Sequence, residues 1–231
     1  MSETVSFPSN GDTAGGYLAV PAGGSGPGVI VVQEWWGLNP QIKGTADRLA
    51  ADGFVALAPD LYHGELAEHD EMDKASHLMN TLPADRAARD MLGAVDYLLA
   101  RDECSSDKVG VIGFCMGGML SMILAAIGDG KIGAATPFYG APVFGNAPDW
   151  SSLSAPMKGH FAEIEDFFKP EQIMALQDEL RGMGKDVEFI VHPGAGHAFC
   201  NETNAIGTYN KDLAEECLAD AFAFLHKHLG S

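Results

Sequence analysis

The chain is short of positive charge, of cysteine and of long apolar runs, and each shortage closes off a class of function. Fourteen lysines and arginines stand against 32 aspartates and glutamates, a formal charge of −18. Nucleic acid and anionic membrane carry the same sign, so neither is expected as a partner. No apolar stretch nears the roughly 18 residues that a membrane-spanning helix needs. The opening residues 1–4 offer neither a basic start nor an apolar core, and no export signal is expected there. The four cysteines, at 104, 115, 200 and 217, form no C-x-x-C pair and no zinc-type spacing. Lacking an export signal, they are expected to stay reduced. No Walker loop occurs either, because Gly113–Gly118 is not followed by Lys-Ser or Lys-Thr.

What is present suits one soluble α/β domain over 1–231. Short apolar runs alternate with longer amphipathic ones, the pattern of a parallel sheet covered by helices. An antiparallel edge hairpin is expected from Thr4–Phe7 and Gly16–Val20, turning around Asn10-Gly11-Asp12. Central strands are expected at Gly28–Gln33, Phe54–Ala58, Lys108–Phe114, Ile132–Tyr139, Met157–Ala162 and Val187–His192. Helices are expected near Gln41–Ala51, Asp70–Asn80, Ala84–Arg101, Met116–Ile127, Glu171–Gly182 and Asn210–Leu229. Pro83 and Pro170 suit first helical turns.

The most informative run is Gly113-Phe114-Cys115-Met116-Gly117-Gly118, placed between an apolar strand and a helix-forming stretch. It has the form of a nucleophile elbow with sulfur in place of the serine oxygen. A nucleophile on a strained strand-to-helix turn needs glycine two places before and two after, where a Cβ would strike the neighbouring strand or helix. The other cysteines have plainer readings. Cys217 falls on the apolar stripe of the last helix, Cys104 in a polar loop, and Cys200 beside a candidate catalytic histidine as a pocket neighbour.

A thiol attacking a carbonyl needs a base and a group to orient that base. His197 follows the last strand in the glycine-rich run 192–199, where the carboxyl edge of a sheet would present it to the elbow. His160 lies inside a strand and reads as structural. The orienting acid should follow the preceding strand, where Glu163, Glu165 and Asp166 all stand. Spacing leans to Asp166, which lies furthest past the strand, but capping of the next helix accounts for any of the three equally well. Gln33-Glu34-Trp35-Trp36-Gly37 ends an early central strand. A hydrolase of this fold takes one oxyanion N–H from that loop and one from the residue after the nucleophile, which points to Trp35 and Met116. Glu34 would then lie near Cys115, though the tryptophans could equally be core aromatics.

Together, Glu-Trp-Trp-Gly, Ala58-Pro59-Asp60-Leu61-Tyr62, the Cys115 elbow, Glu165-Asp166-Phe167-Phe168 and Gly194-Ala195-Gly196-His197-Ala198-Phe199 resemble the dienelactone hydrolases over nearly the whole chain. These are cytoplasmic, cysteine-dependent α/β-hydrolases. The resemblance implies Cys115 as nucleophile, His197 as base, Asp166 as orienting acid, and Glu34 as keeper of the thiol proton until substrate arrives. It implies a monomer and no metal or organic cofactor. Enzymes acting on dienelactone clamp its carboxylate with arginines. Here one such position is Asn201, and the stretch 63–80 holds no arginine, with Lys74, His63 or His77 as possible substitutes. A lysine lacks the bidentate fork. The expected substrate is therefore a lactone or a small ester, uncharged or differently charged as readily as dienelactone itself. Tyr62, Tyr139 and Phe199 are candidate pocket residues. The alternatives are a general carboxylesterase or thioesterase, a thiol redox sensor pairing Cys115 with Cys200, and a non-catalytic binding protein of the same fold.

Overall fold

The computed structural model describes every residue except Asn10, Phe144, Asn146 and Ser231. Eight strands form one sheet in the order β1-β2-β4-β3-β5-β6-β7-β8. The hairpin of β1 (Ser2–Ser9) and β2 (Asp12–Ala19) is antiparallel and pairs in the same sense with β4 (Val55–Pro59); the Asn10 part of the expected turn lies outside the described residues. From β4 onward the sheet is parallel, through β3 (Gly28–Val32), β5 (Val109–Phe114), β6 (Ile132–Phe138), β7 (Met157–Ile164) and β8 (Val187–Gly196).

The strands β3, β4 and β5 are buried along their whole length, which is why they read as unbroken apolar runs. Their side chains still divide by period two. Ile30 and Val32 join the core on one face, while Val29 and Val31 join the core on the other. The first face is covered chiefly by α3 (Ala84–Leu99), α4 (Met116–Ile127) and α5 (Pro170–Gly182), the second by α1 (Pro40–Ala51) and α6 (Lys211–Leu229). The short α2 (Met72–Thr81) adds Ala75 and Leu78 to the first. Among the described residues no helix is long and apolar enough to cross a membrane.

Local chemistry fixes the ends. Asn39 caps α1 by accepting the Ile42 N–H at 3.0 Å, and Pro40 follows at the first helical position. Pro170 plays the same part in α5, whereas Pro83 is the cap residue of α3 rather than a member of its first turn. Two strands run further than their sequence suggests. β7 continues to Ile164 and β8 to Gly196, because an irregularity between Ala162 and Ile164 keeps the pair bonded past Pro193. That extension matters for the site, since it brings residues 165 and 197 to the end of one strand pair.

The strand order reverses at β3, with β4 on one side and β5 on the other. Open α/β sheets bind ligands outside the carboxyl ends of the strands at such a switch point. All the candidate residues lie on that edge.

Candidate active site

Cys115 joins β5 to α4 with φ 56° and ψ −119°, a conformation costly for any residue with a side chain, about 1–3 kcal/mol. The surrounding glycines make it possible. A Cβ on Gly113 would run into the carbonyl of Gly117, and one on Gly117 into the carbonyls of Val32 and Gln33. The elbow is thus wedged against the end of β3 and is pinned by the Cys115 N–H donating to the Phe138 carbonyl at 3.0 Å.

His197 stands one residue beyond β8, and its N–H donates to the Ile164 carbonyl at 3.1 Å. That bond sets the register between the two strand ends and leaves residue 165 beside the imidazole. The carboxylate that meets His197 is accordingly Glu165, whose Oε2 lies 2.7 Å from Nδ1. The Glu165 side chain is fully buried, and its Oε1 accepts the Phe167 N–H at 3.3 Å. Asp166, the acid that spacing and resemblance favour, is exposed, and Glu163 accepts the Gly194 N–H at 2.8 Å instead. The expectation of Asp166 rests on a strand ending at Ala162. With β7 running to Ile164, Glu165 is already in place and Asp166 has turned to solvent.

The other imidazole nitrogen, Nε2, is buried with no completed hydrogen bond and is left for the thiol. Burial alone would lower the pKa of His197. Interaction with Cys115 and with Glu165 together outweighs it and lifts the pKa to about 10. Tyr139 and Phe167 pack against the ring at centroid distances of 5.3 and 4.7 Å, and the Thr208 hydroxyl donates to the His197 carbonyl.

Glu34 is wholly buried after β3. Its Oε2 accepts from Asn201 Nδ2 at 2.7 Å and its Oε1 lies 3.5 Å from the Tyr139 hydroxyl. No hydrogen bond joins it to Cys115 among the described residues. Desolvation raises its pKa to about 7 against the opposing pull of His197, Asn201 and Tyr139. Asn201 is itself locked, its Oδ1 accepting from the N–H and hydroxyl of Thr203.

Trp35 and Met116 line the same cleft as Cys115, and their N–H groups donate to no other backbone group among the described residues. Met116 is the first residue of α4, where helical N–H groups are free by construction. Tyr62 braces this pair from behind, donating to the Trp35 carbonyl at 3.0 Å and approaching Met116 Sδ at 3.5 Å. Trp36 is a core residue packed on His69.

Cys115 and His197 open into a cleft of about 390 Å³ walled by Trp35, Met79, Met119, Tyr139, Phe167 and Phe168. Of the three pocket candidates only Tyr139 reaches it. Tyr62 lies beneath and Phe199 is fully buried against Tyr139 at 5.1 Å. The walls from α2 and from 167–168 escape a reading of the sequence, because strand and helix periods do not tell which helix crosses the sheet edge. Among the described residues no lysine or arginine lines the cleft. Lys74 pairs with Glu71 at 3.5 Å and His63 with Asp90 at 2.7 Å, so neither serves as an anion clamp.

The chain is similar to known proteins over most of its length. The family model described as the dienelactone hydrolase family matches residues 14–229. "Protein usf" of Aquifex pyrophilus is 37% identical, over 99% of this chain and 100% of its own. A protein of Aquifex aeolicus named "Putative carboxymethylenebutenolidase" is 35% identical over 87% of this chain and 88% of its own. The crystal structure titled "Putative Dienelactone Hydrolase" from Klebsiella pneumoniae superposes with a TM-score of 0.80 at 26% identity, covering 98% of each chain.

Proposed function

Since the chain belongs to the dienelactone hydrolase family and is a hydrolase of esters or lactones, we propose that it cleaves a neutral lactone or short carboxylic ester through Cys115, His197 and Glu165. The observation that carries this reading is His197, held by Glu165 at 2.7 Å on one nitrogen and left free on the other at the mouth of the Cys115 cleft. The Cys115 thiolate attacks the carbonyl carbon, and the oxygen gathers negative charge between the Trp35 and Met116 N–H groups. His197, carrying the thiol proton, passes it to the leaving alkoxide and an acyl-thioester remains.

The raised pKa of His197 gives this sequence a direction. With thiolate and carboxylate on either side, the imidazolium is stable and ready to donate. Once the sulfur is acylated its negative charge is gone, and one of the two supports of that pKa goes with it. His197 then has its lone pair back and can take a proton from water, whose attack releases the acid and restores the thiol. Glu34, near half-protonated at neutral pH, tunes the charge behind His197 and Tyr139 and does not touch the sulfur.

The apolar cleft, without a lysine or arginine among its described lining residues, favours an uncharged acyl group over a lactone that carries a carboxylate. The test compares p-nitrophenyl acetate with cis-dienelactone, using the wild type and Cys115→Ala. The neutral ester is expected to turn over faster, with activity on both falling about 10³-fold or more in the variant. Faster cleavage of dienelactone would overturn the substrate assignment, and a fully active Cys115→Ala enzyme would overturn the mechanism.

A further inference from the structure

Behind the cleft, His160 of β7, His192 of β8 and Cys217 of α6 converge on one point. None of the three lines the cleft. His160 Nδ1 lies 3.1 Å from His192 Nε2, and Cys217 Sγ lies 3.3 Å from that same nitrogen. The three ligand atoms all fall within 4.8 Å of one another. We propose that these residues form a transition-metal site taking Zn²⁺, with solvent in the fourth position on the half-buried side of His192.

Hydrogen bonding accounts poorly for the cluster. One imidazole nitrogen has either a single proton or a single lone pair, so His192 Nε2 completes one of its two short contacts and leaves the other unmade. A shared cation satisfies all three donors. Zinc bonds of about 2.05 Å to nitrogen and 2.3 Å to sulfur set tetrahedral edges of about 3.3 and 3.6 Å. The observed 3.1 and 3.3 Å open by a few tenths of an ångström, while the third edge, from His160 to Cys217 and within 4.8 Å, has to settle at about 3.6 Å.

A second observation points the same way. The remaining nitrogen of His160, Nε2, is buried without a hydrogen-bond partner, yet Asp220 Oδ2 waits 3.4 Å from it. Metal on Nδ1 fixes the proton on Nε2, which then donates to Asp220. Carboxylates hold metal-bound histidines in this way. Lys158, 2.7 Å from Asp220, keeps that carboxylate from collapsing onto the cation but also adds opposing charge. Two histidines and a thiolate suit zinc far better than calcium or magnesium. On binding, Cys217 exchanges its S–H bond for an S–Zn bond and the proton passes to buffer.

The experiment titrates chelator-treated protein with Zn²⁺ by calorimetry and with Co²⁺ by absorption, on a Cys115→Ala background that removes the thiol of the cleft. One equivalent of Zn²⁺ is expected to bind, and Co²⁺ should give a thiolate charge-transfer band. Cys217→Ser should abolish the band, and His192→Ala should weaken Zn²⁺ binding by about 100-fold or more, while circular dichroism of both stays that of the parent. The double-background design leaves His192→Ala as the check if Cys217→Ser fails to fold. Absence of stoichiometric binding by the folded parent, or unchanged affinity in folded His192→Ala, would overturn the site.

Discussion

Glu34→Gln is expected to remove a pH dependence from the stability of the fold. The wild-type carboxyl is fully buried and its pKa stands at about 7, against an ordinary 4.5. A raised pKa means that the folded state binds the proton more tightly than the unfolded chain. The stability this gives is fully present below pH 4.5 and is lost as pH rises through 7. At ~1.4 kcal/mol per pH unit the interval corresponds to about 3 kcal/mol. Glutamine keeps the shape, accepts the Asn201 hydrogen bond and carries no charge. The assay is thermal unfolding of both proteins from pH 4.5 to 8.5. His197 titrates in both and is coupled to Glu34, so the difference between the curves reports the removal of Glu34 together with its pull on His197. The variant should gain on the wild type by about 6–12 °C over that range, taking 2–4 °C per kcal/mol for a domain of this size. Parallel curves would refute the reasoning, since they would mean that Glu34 sheds its proton in the folded state as easily as in water.

Other perturbations bear on the remaining parts of the site. Glu165→Gln should lower kcat by about 10²–10⁴-fold while Asp166→Asn changes it less than about threefold; steady-state kinetics with the opposite ranking would restore Asp166 as the orienting acid. Gly117→Ala forces a Cβ onto the Val32 and Gln33 carbonyls and should lower Tm by at least about 4 °C with loss of activity. Gly182→Ala, which meets nothing within 4 Å at the end of α5, should raise Tm slightly by its better helix propensity. The imidazolium at His197 stabilises the fold below about pH 6.5, and that stability should fade as pH climbs towards 10; a melting temperature rising over that interval in Glu34→Gln would contradict it.

The elbow, its histidine and the sheet that carries them were legible because each leaves a local trace: glycines at fixed offsets, apolar strands of length five or six, and a glycine-rich run after the last strand. The orienting acid was not, because the choice among Glu163, Glu165 and Asp166 depends on where β7 stops. An irregularity between Ala162 and Ile164 decides that, and no periodicity marks it. Tyr62 and Phe199 were aromatic and close in sequence to the motifs, but an aromatic beside a cleft and one beneath it look alike in a sequence. The cluster of His160, His192 and Cys217 was invisible for a different reason. Its members belong to three elements, and only the pairing of β7 with β8 under α6 brings them together.

The central claim is that Cys115 becomes acylated during turnover. Rapid quenching of the enzyme with p-nitrophenyl acetate, followed by peptide mass mapping, tests it most directly. The account predicts one acetyl group on the peptide containing Cys115, formed within a burst and then hydrolysed, and absent from Cys115→Ala. Stoichiometric acetylation of another residue, with turnover intact in Cys115→Ala, would contradict it.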